Sequence, residues 1–308
     1  MSPRTGNGSA GSRGAGSENP LLRFLDALGR QERLDVLSGP VRQAVQALPL
    51  GRARDVLHGL PIGHPLHPAL VQAPLGAWLS AAVLDCLPGN RRGARVLIGM
   101  GLLTAAPAAL AGWVDWAEQH PQQKRTGLVH AASVSTAVAL YARSWTHRGP
   151  HGHPVRARAL GFAGLGAVGF GALLGGHLAY RQAAGSDKAG ALAFELDDGW
   201  HAVGRTESFP AGTAVRRQLG EAAVLVFRED DGRIHVLADR CSHLAGPLSE
   251  GRIVDGCVEC PWHGSVFRLS DGANVRGPAT APQPVFDTRV TDDGMVQVRL
   301  PGAVRSSD

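Results

Sequence analysis

Long apolar segments dominate the first two thirds of the chain. Four of them lie at residues 68–87, 96–114, 126–142 and 159–180, and their polar members include Gln72, Asp85, His130 and His177. Because an α-helix rises 1.5 Å per residue, about 20 residues in this conformation cross a hydrocarbon layer of about 30 Å. The pattern predicts four transmembrane helices, and the alternative is a buried soluble bundle rich in alanine and glycine.

The residues before these segments follow a different pattern. Residues 1–20 are mostly Gly, Ser, Arg and Asn, which cannot offset the entropy cost of ordering, so a disordered tail is expected. Between residues 21 and 37, leucine and phenylalanine recur at helical spacing with charged residues between them. This predicts an amphipathic helix that stops near Gly39 and Pro40. Such a helix either lies on a membrane surface or packs against the bundle.

After residue 180 the pattern changes to short strands. A polar linker covers residues 183–190, and Asp-Gly turn signals then occur at residues 231–232, 255–256, 271–272 and 293–294. Residues 222–227 and 233–237 form the clearest predicted hairpin. The sequence predicts a small all-β domain after the helices, and no internal repeat is evident.

The charge balance favours a membrane setting. Residues 1–190 contain 19 Lys and Arg against 9 Asp and Glu, whereas residues 191–308 contain 12 against 17. The positive charges flank the apolar segments and do not form one dense patch, so the pattern favours a lipid bilayer and not nucleic acid as the partner. Four cysteines in 308 residues are too few for a disulfide scaffold, which directs attention to metal chemistry.

Two short boxes in the β region contain the residue types that bind metals. Cys241 and His243 form the first box, and Cys260 and His263 form the second, within the sequence Cys-Pro-Trp-His-Gly-Ser. Two thiolates and two imidazoles suit a tetrahedral zinc ion. They also suit a [2Fe-2S] cluster, in which the thiolates hold one iron and the imidazoles hold the other.

The two boxes resemble those of the Rieske iron–sulfur domain in their spacing and in the sequence of the second box, over about residues 191–301. The resemblance implies a [2Fe-2S] cluster with one iron held by Cys241 and Cys260 and the other by His243 and His263. It also implies that the loop Gly277-Pro278-Ala279 covers the cluster.

Differences from the high-potential branch of that family concern the residues around the cluster. Members of that branch have a disulfide-linked cysteine pair where this chain has Gly246 and Trp262, and a tyrosine where it has Phe267, whereas Ser265 is retained. Fewer hydrogen bonds to sulfur leave the reduced cluster less stabilised, so the reduction potential is expected near the low end of the Rieske range, at about −150 mV. In this respect the domain is similar to the Rieske-type ferredoxins that feed oxygenases.

The region after the second box bears on whether the chain oxidises a substrate itself. Ring-hydroxylating oxygenases follow their cluster with a mononuclear iron held by two histidines and one carboxylate. No histidine occurs among the 45 residues after His263. The sequence favours an electron-transfer component without a substrate-oxidising iron of its own.

The membrane part resembles a bacterial four-helix membrane domain of unknown function over residues 60–182. The resemblance rests on the sequences His-Pro-Leu-His-Pro at 64–68, Gly-Trp-Val-Asp-Trp at 112–116 and Gly-Gly-His-Leu at 175–178. Four crossings would place His67, Asp115, His130 and His177 at the membrane face that bears the β domain, where ionisable groups commonly mark a functional site. Two of the histidines could hold haem b, or the group could line a quinone pocket. Alternatively, these side chains bond between helices.

The predicted organisation is an α + β multidomain chain, a four-helix transmembrane bundle followed by a small all-β Rieske-type domain. Its parts are a disordered tail at 1–20, an amphipathic helical segment at 21–60, a four-helix membrane domain at 61–182, a linker at 183–190, a Rieske domain at 191–301 and a tail at 302–308.

This organisation predicts a multi-pass cell-membrane protein that carries single electrons between a reductase and a membrane or oxygenase acceptor. A flavoprotein reductase is the expected donor, and an oxygenase, a cytochrome or a quinone is the expected acceptor. The Rieske domain is expected on the cytoplasmic side, because a cluster needs cytosolic assembly and no leader for export is recognised. The alternatives are a membrane quinone or haem oxidoreductase, and a redox sensor whose partner binding depends on the state of the cluster.

Overall fold

The computed structural model describes residues 19–301, so the predicted tail at 302–308 and nearly all of the tail at 1–20 lie outside the described residues. Helices fill the described chain as far as residue 181. The α-helices are α1 (Pro20–Gly29), α2 (Asp35–Gln46), α3 (Ala53–His58), α4 (Leu66–Leu70), α5 (Gln72–Cys86), α6 (Arg91–Ala117), α7 (Pro121–His147) and α8 (Pro154–Gly176), with the short α9 (Leu192–Glu195) in the following segment.

The amphipathic segment at 21–37 is not one helix. It forms α1, a 3₁₀ turn at Glu32–Leu34 and the first residues of α2. The expected stop at Gly39 and Pro40 is wrong, because α2 continues through Pro40 to Gln46. Proline removes one backbone hydrogen bond inside a helix. Val36, whose carbonyl loses that bond, is 77% exposed, so water can satisfy its carbonyl.

Three helices of the described chain are long and apolar enough to cross a membrane, namely Leu66–Cys86, Arg91–Ala117 and Pro154–Arg181. The first joins α4 and α5, and the third extends α8 by one π-helical turn, so among the described residues seven helices, 3₁₀ turns not included, end by residue 181. The three long apolar helices correspond to three of the four predicted transmembrane segments. The prediction of a fourth span at 126–142 is wrong by this criterion, although the segment is helical as part of α7.

Helix α7 is more polar than the three long apolar helices because several of its polar side chains bond to neighbouring helices. Ser133 donates to the carbonyl of Ala167 at 2.8 Å, and the buried Ser144 donates to the carbonyl of Ala157 at 2.6 Å. These hydroxyls bond the backbone of α8, against which α7 packs, and therefore need not face an apolar solvent. Near its first turn α7 also carries Arg125, which pairs with Asp35 of α2.

As far as residue 301, the β domain consists of ten strands in three antiparallel sheets. The first sheet has the order β1 (His201–Arg205), β10 (Met295–Arg299), β9 (Asp287–Val290), and the second the order β2 (Ala214–Leu219), β3 (Ala222–Arg228), β4 (Ile234–Ala238). The third has the order β5 (Arg252–Val254), β6 (Cys257–Glu259), β7 (Val266–Arg268), β8 (Asn274–Arg276). The predicted hairpin at 222–227 and 233–237 is confirmed as β3 and β4, with Val226 opposite Val236.

Two hydrophobic cores stabilise this domain. One lies between the first and second sheets around Phe209, Val224 and Val296, all of which are fully buried. The other lies under the third sheet around Val258 and Phe267. It includes the two candidate ligand cysteines, Cys241 and Cys260. The candidate metal ligands therefore lie at the edge of a packed core and not on a free surface loop.

Candidate metal centre

Two loops with the same backbone pattern present the cysteines. In the first loop, the N–H of Cys241 donates to the carbonyl of Gly246 at 2.9 Å, and the N–H of Ala245 donates back to the carbonyl of Cys241 at 2.9 Å. In the second loop the same two bonds join Cys260 to Ser265 at 2.8 Å and Gly264 to Cys260 at 3.0 Å. Both loops therefore turn sharply just after the cysteine and hold its side chain in a fixed direction.

The left-handed backbone of each loop completes its turn. Ala245 has φ of +63° and Gly264 has φ of +72°. Glycine adopts this conformation without steric cost, whereas alanine is strained in it. The strain at Ala245 indicates that the surrounding hydrogen bonds, and not local preference, determine the shape of the first loop.

The four candidate ligands lie together as two pairs of like side chains. The thiols of Cys241 and Cys260 are within hydrogen-bonding distance of each other. The imidazole rings of His243 and His263 have centroids 5.0 Å apart and lie at 89° to each other. Among the described residues, no three His, Cys, Asp or Glu side chains are arranged to hold a single metal ion.

One atom of this group has no partner. The Nδ1 of His243 is buried and makes no hydrogen bond within the described chain. A buried polar atom without a partner costs about 1–3 kcal/mol, and a bond to a metal would remove that cost. Two soft thiolates beside two imidazoles are the donor set of a Rieske [2Fe-2S] cluster, so the residues present fit that group.

The electrostatics of the cysteines favour one thiolate in the pair. The pKa of the Cys260 thiol is lowered because Cys241 donates a hydrogen bond to it, and because the N–H groups of Trp262 and His263 point at its sulfur. The pKa of Cys241 is raised, first by its bond to Cys260 and then by burial. Backbone N–H groups of His243 and Leu244 point at the Cys241 sulfur. Such donors stabilise negative charge on sulfur.

Burial governs the histidines. It lowers the pKa of His243 to about 3, and the neighbouring His263 acts in the same direction. Burial also lowers the pKa of His263. Both imidazoles are therefore neutral at pH 7, which is the form that binds a metal.

The residues predicted to surround the cluster lie near the two cysteine loops. A Cβ built on Gly246 would lie 2.9 Å from the Cys260 sulfur and 3.1 Å from the Trp262 ring, so positions 246 and 262 are in direct contact and only glycine fits at 246. The ring of Phe267 is fully buried in the same core as both cysteines. Ser265 is also buried, and its hydroxyl accepts from the N–H of Ala279 at 3.0 Å.

The loop around Pro278 closes one side of the site. Besides the bond from Ala279, the side chain of Asn274 donates to the carbonyl of Ala279 at 3.1 Å. The hydroxyl of Ser242 donates to the carbonyl of Ala281 at 2.8 Å. These bonds fix the buried Pro278 beside the two cysteine loops.

Gln283 holds the first loop and was not predicted from the sequence. Its amide nitrogen donates to the carbonyls of Ala238 at 2.8 Å and Arg240 at 2.6 Å, and its oxygen accepts from the N–H of Ser242 at 3.2 Å. It is 2% exposed. A buried glutamine just after the proline loop is the only sequence signal, and it is weak because the partners are all backbone groups.

The helical region lies against the candidate site. The N–H of Gly277 donates to the carboxylate of Asp55 in α3 at 3.0 Å, and the rings of Trp262 and His120 are 6.1 Å apart. A cavity of about 280 Å³ separates the two parts and is lined by residues that include His263, Pro278, His58 and Glu118. One edge of the candidate cluster site therefore faces the helices.

The four residues proposed at the membrane face do not form one cluster. His67 and His130 lie side by side, with ring centroids 6.2 Å apart. Asp115 instead bonds Nδ1 of His58 at 2.9 Å, and His177 lies 3.5 Å from Asp26 of α1. His58 and Asp26 were not predicted as partners, since the contacts depend on how α1 and α3 pack on the bundle.

The fold and the donor set define an iron–sulfur protein of the Rieske type. The model of the Rieske [2Fe-2S] domain matches residues 199–287, and a second family model, described as predicted membrane protein (DUF2231), matches residues 63–188. The chain belongs to the Rieske family through its C-terminal domain, which implies a [2Fe-2S] cluster. The comparisons do not extend to haem or quinone.

Two relatives of the β domain are ferredoxins. The anthranilate 1,2-dioxygenase ferredoxin subunit of Burkholderia cepacia is 37% identical over 101 residues, which are 33% of this chain and 92% of that protein. Ferredoxin CarAc of Metapseudomonas resinovorans is 32% identical over 94 residues, 30% of this chain and 87% of that protein.

A solved structure also matches this part of the chain. It is the complex of reduced oxygenase and oxidized ferredoxin in carbazole 1,9a-dioxygenase, which matches with a TM-score of 0.31 and 30% identity over 36% of this chain and 100% of that chain. By the sequence relationships above, the protein is a Rieske ferredoxin-type electron carrier, homologous to ferredoxin subunits of oxygenase systems.

Proposed function

We propose that this protein is a membrane-anchored Rieske carrier in which Cys241 and Cys260 hold one iron of the cluster and His243 and His263 hold the other. The observation that carries the proposal is the convergence of two thiols and two neutral imidazoles, one with a buried and unpartnered Nδ1. When bound, the cluster accepts and releases one electron at a time.

The protein's own groups then set how readily an electron is held. Backbone N–H groups of His243 and Leu244 point at one sulfur and those of Trp262 and His263 at the other, so they favour the more negative reduced state. The buried Pro278 and Phe267 exclude water. His263 borders the cavity toward the helices, which makes its imidazole the edge through which an electron leaves.

The helical region serves as the membrane anchor. Three helices have the length and composition of spans, and apolar side chains on them are exposed, including Leu79, Val83, Val96 and Leu103, of which Leu103 is 74% exposed. Large apolar side chains exposed on helices of this kind face lipid at low cost. The match to a predicted membrane protein family supports the same conclusion.

The Rieske domain faces the cytoplasm in this proposal. Single reporter cysteines at Asp230, in an exposed turn of the β domain, and at His151, in the exposed loop between α7 and α8, provide the test in a Cys86→Ala/Cys257→Ala background. In intact cells an impermeant maleimide should leave position 230 unlabelled, and inverted vesicles should expose it. Labelling of position 230 in intact cells would contradict this orientation, and position 151 reports on the other end of the bundle.

A flavoprotein reductase supplies the electron in this proposal, and an oxygenase or cytochrome receives it. The test uses detergent-purified protein with NADH, a ferredoxin reductase from an aromatic dioxygenase system and cytochrome c. Cluster absorbance should bleach on reduction and recover when cytochrome c is added, whereas a Cys260→Ser variant should show neither change. Protein with a full cluster that is neither reduced nor reoxidised would contradict the carrier role.

A membrane quinone or haem oxidoreductase is the second candidate. It is favoured by the cavity between His263 and the helices, which also contains His58 and Glu118. Redox titration of the cluster with and without a short-chain quinone separates the candidates, because only a bound quinone shifts the midpoint of the cluster.

A further inference from the structure

The helical region contains an internal repeat with an offset of 63 residues. Three pairs of residues separated by this offset contact each other. The rings of His67 and His130 are 6.2 Å apart, those of Trp78 and Tyr141 stack at 4.4 Å, and Asp85 forms a buried ion pair with Arg148 at 2.5 Å. Each residue therefore meets its own counterpart, as residues on a two-fold axis do.

Small residues of the second helix in each half repeat with the same offset. Gly101 of α6 packs on Trp78, where an added Cβ would lie 2.2 Å from the indole nitrogen. Gly164 of α8 packs in the same way on Tyr141, with an added Cβ 3.0 Å from the ring. The helices α4 to α6 form one hairpin and α7 with α8 form a second, related by a pseudo-two-fold axis. The sequence analysis found no repeat, and that expectation is wrong for the helical region. The repeat is hard to see in the sequence because the two halves are alike at little more than these contact positions.

The pair His67 and His130, here called the axial pair, forms one layer on this axis. Nδ1 of His67 bonds the carbonyl of Ala108 at 2.8 Å, and Nδ1 of His130 bonds the carbonyl of Gly171 at 2.8 Å. Residues 108 and 171 are again 63 apart. Because a carbonyl only accepts, each Nδ1 carries a proton, and in the neutral imidazole each Nε2 then has a free lone pair.

The ring separation of the axial pair matches that of two imidazole ligands on one metal. Neither Nε2 has a hydrogen-bond partner within the described chain. Metal–imidazole bonds of about 2.0 Å and a ring radius of about 1.2 Å place two imidazoles on opposite sides of one metal with centroids about 6.4 Å apart. The observed separation is 6.2 Å. A carbonyl that orients the ring through its other nitrogen is a regular partner of a metal-bound histidine.

The axial pair is connected to the candidate cluster site by a series of contacts. His67 packs on Gly112 of α6, where an added Cβ would lie 2.7 Å from its Nδ1. One turn further along α6, Asp115 bonds His58. The His58 ring in turn lies 3.5 Å from the Cβ position of Gly277, in the loop that contains Pro278. A short series of packed groups therefore joins the axial pair to the Rieske domain.

We propose that His67 and His130 are the axial ligands of a haem, and that this haem exchanges one electron with the cluster. A porphyrin supplies four nitrogens to its iron, so two imidazoles complete the coordination, whereas a structural zinc ion takes four ligands from the protein. In the transfer the reduced cluster loses one electron and the ferric haem becomes ferrous. The haem site itself stands independently of the proposed function, and only the transfer rests on it.

The test is the haem content of the full chain, produced with iron and 5-aminolevulinate and purified in detergent. We expect one haem per chain by the pyridine haemochrome method, and at least about a tenfold loss in His67→Ala and in His130→Ala. His177→Ala is the matched control, because that histidine lies in the same bundle but contacts Asp26, and it should keep its haem. His67→Met should keep haem with a higher potential, since a Met/His pair raises it.

Cluster content measured by EPR in the same samples separates this proposal from the carrier function. Full cluster with no haem would overturn the axial site and leave the carrier function intact. Haem that persists in both alanine variants would also overturn it. Gly112→Ala should reduce haem binding, and Gly76→Ala, where nothing lies within 4 Å of the added Cβ, should not.

Discussion

At the residue scale, the groups around the sulfurs determine the reduction potential. Phe267 offers no hydroxyl, whereas the buried Ser265 keeps one next to the loop of Pro278. Hydrogen bonds to the sulfurs stabilise the reduced state more than the oxidised state. The low potential expected from the sequence is therefore a matter of how many donors surround the cluster.

Adding a hydroxyl at position 267 should raise the potential. For Phe267→Tyr, about 1 kcal/mol of preferential stabilisation of the reduced state corresponds to an increase of about 40 mV for one electron. Ser265→Ala removes a hydroxyl and should lower the potential by a similar amount. Spectroelectrochemical titration measures both changes, and a shift of both variants in the same direction would be inconsistent with this explanation.

Gln283 should be important for the stability of the first loop. Gln283→Ala removes three hydrogen bonds, two of them buried and one partly buried, and leaves backbone groups without partners. We therefore expect the free energy of unfolding to fall by about 2–4 kcal/mol and the cluster to be lost more rapidly. Thermal release of iron measures the effect. Gln218→Ala, at an exposed site, is the control, and equal behaviour of the two variants would argue against this role.

The sequence identifies the four candidate ligands because their spacing lies within two short loops. Gln283 and His58 could not be found in this way. Their partners are 41 and 57 residues distant along the chain, and the bonds of Gln283 are made to backbone groups that no motif records. Only the folded arrangement brings these residues to the site.

At the element scale, ion pairs hold the N-terminal helices α1 and α2 against the bundle. Asp26 of α1 bonds Arg181 and Asp35 of α2 bonds Arg125, and these arginines lower the pKa of both carboxyls. The opposite faces of these helices remain apolar and exposed, with Phe24 at 52% and Leu37 at 58%. This arrangement fits helices that lie at a membrane surface.

Attachment of α1 and α2 should weaken in acid. A carboxyl with a lowered pKa stabilises the folded state above its unfolded pKa of about 3.9, and this contribution is lost as the pH falls through the lower folded value. Limited pepsin cleavage before residue 50 should therefore increase below about pH 4. The double variant Asp26→Asn/Asp35→Asn should already be cleaved readily at about pH 5, where pepsin still acts and the unchanged protein is protected. Cleavage of the double variant that matches the unchanged protein would contradict the role of these pairs.

Helix α7 was predicted to span the membrane but is too polar to meet the criterion for a span, and this difference has a physical cause. Hydropathy measures the cost of exposing a side chain, but Ser133 and Ser144 bond the backbone of α8 inside the bundle. The prediction of a helix there was correct, and the prediction of a lipid-crossing composition was not. Helix periodicity depends on local residues, whereas the environment of each face depends on packing.

At the scale of the whole molecule, the pseudo-two-fold axis places opposite charges at equivalent positions. Asp85 and Arg148 are 63 residues apart and form two hydrogen bonds of 2.5 and 2.7 Å in a buried setting. Removing one member of such a pair costs about 3–5 kcal/mol, because the other charge is left without a partner.

Exchange of the two charges should therefore restore stability. Asp85→Ala and Arg148→Ala should each destabilise the detergent-solubilised protein strongly, whereas Asp85→Arg/Arg148→Asp should recover most of the loss because the two positions are equivalent. Thermal unfolding followed by intrinsic tryptophan fluorescence measures the three variants. An exchanged variant as unstable as the single variants would contradict the proposed symmetry.

The most direct test of the central claim is the metal content of anaerobically purified protein together with its EPR spectrum after dithionite reduction. Two irons and two acid-labile sulfides per chain are expected, with the rhombic signal of a cluster held by two nitrogens and two sulfurs, and His263→Cys should change that signal. Zinc without sulfide, or a signal unchanged by His263→Cys, would contradict the account.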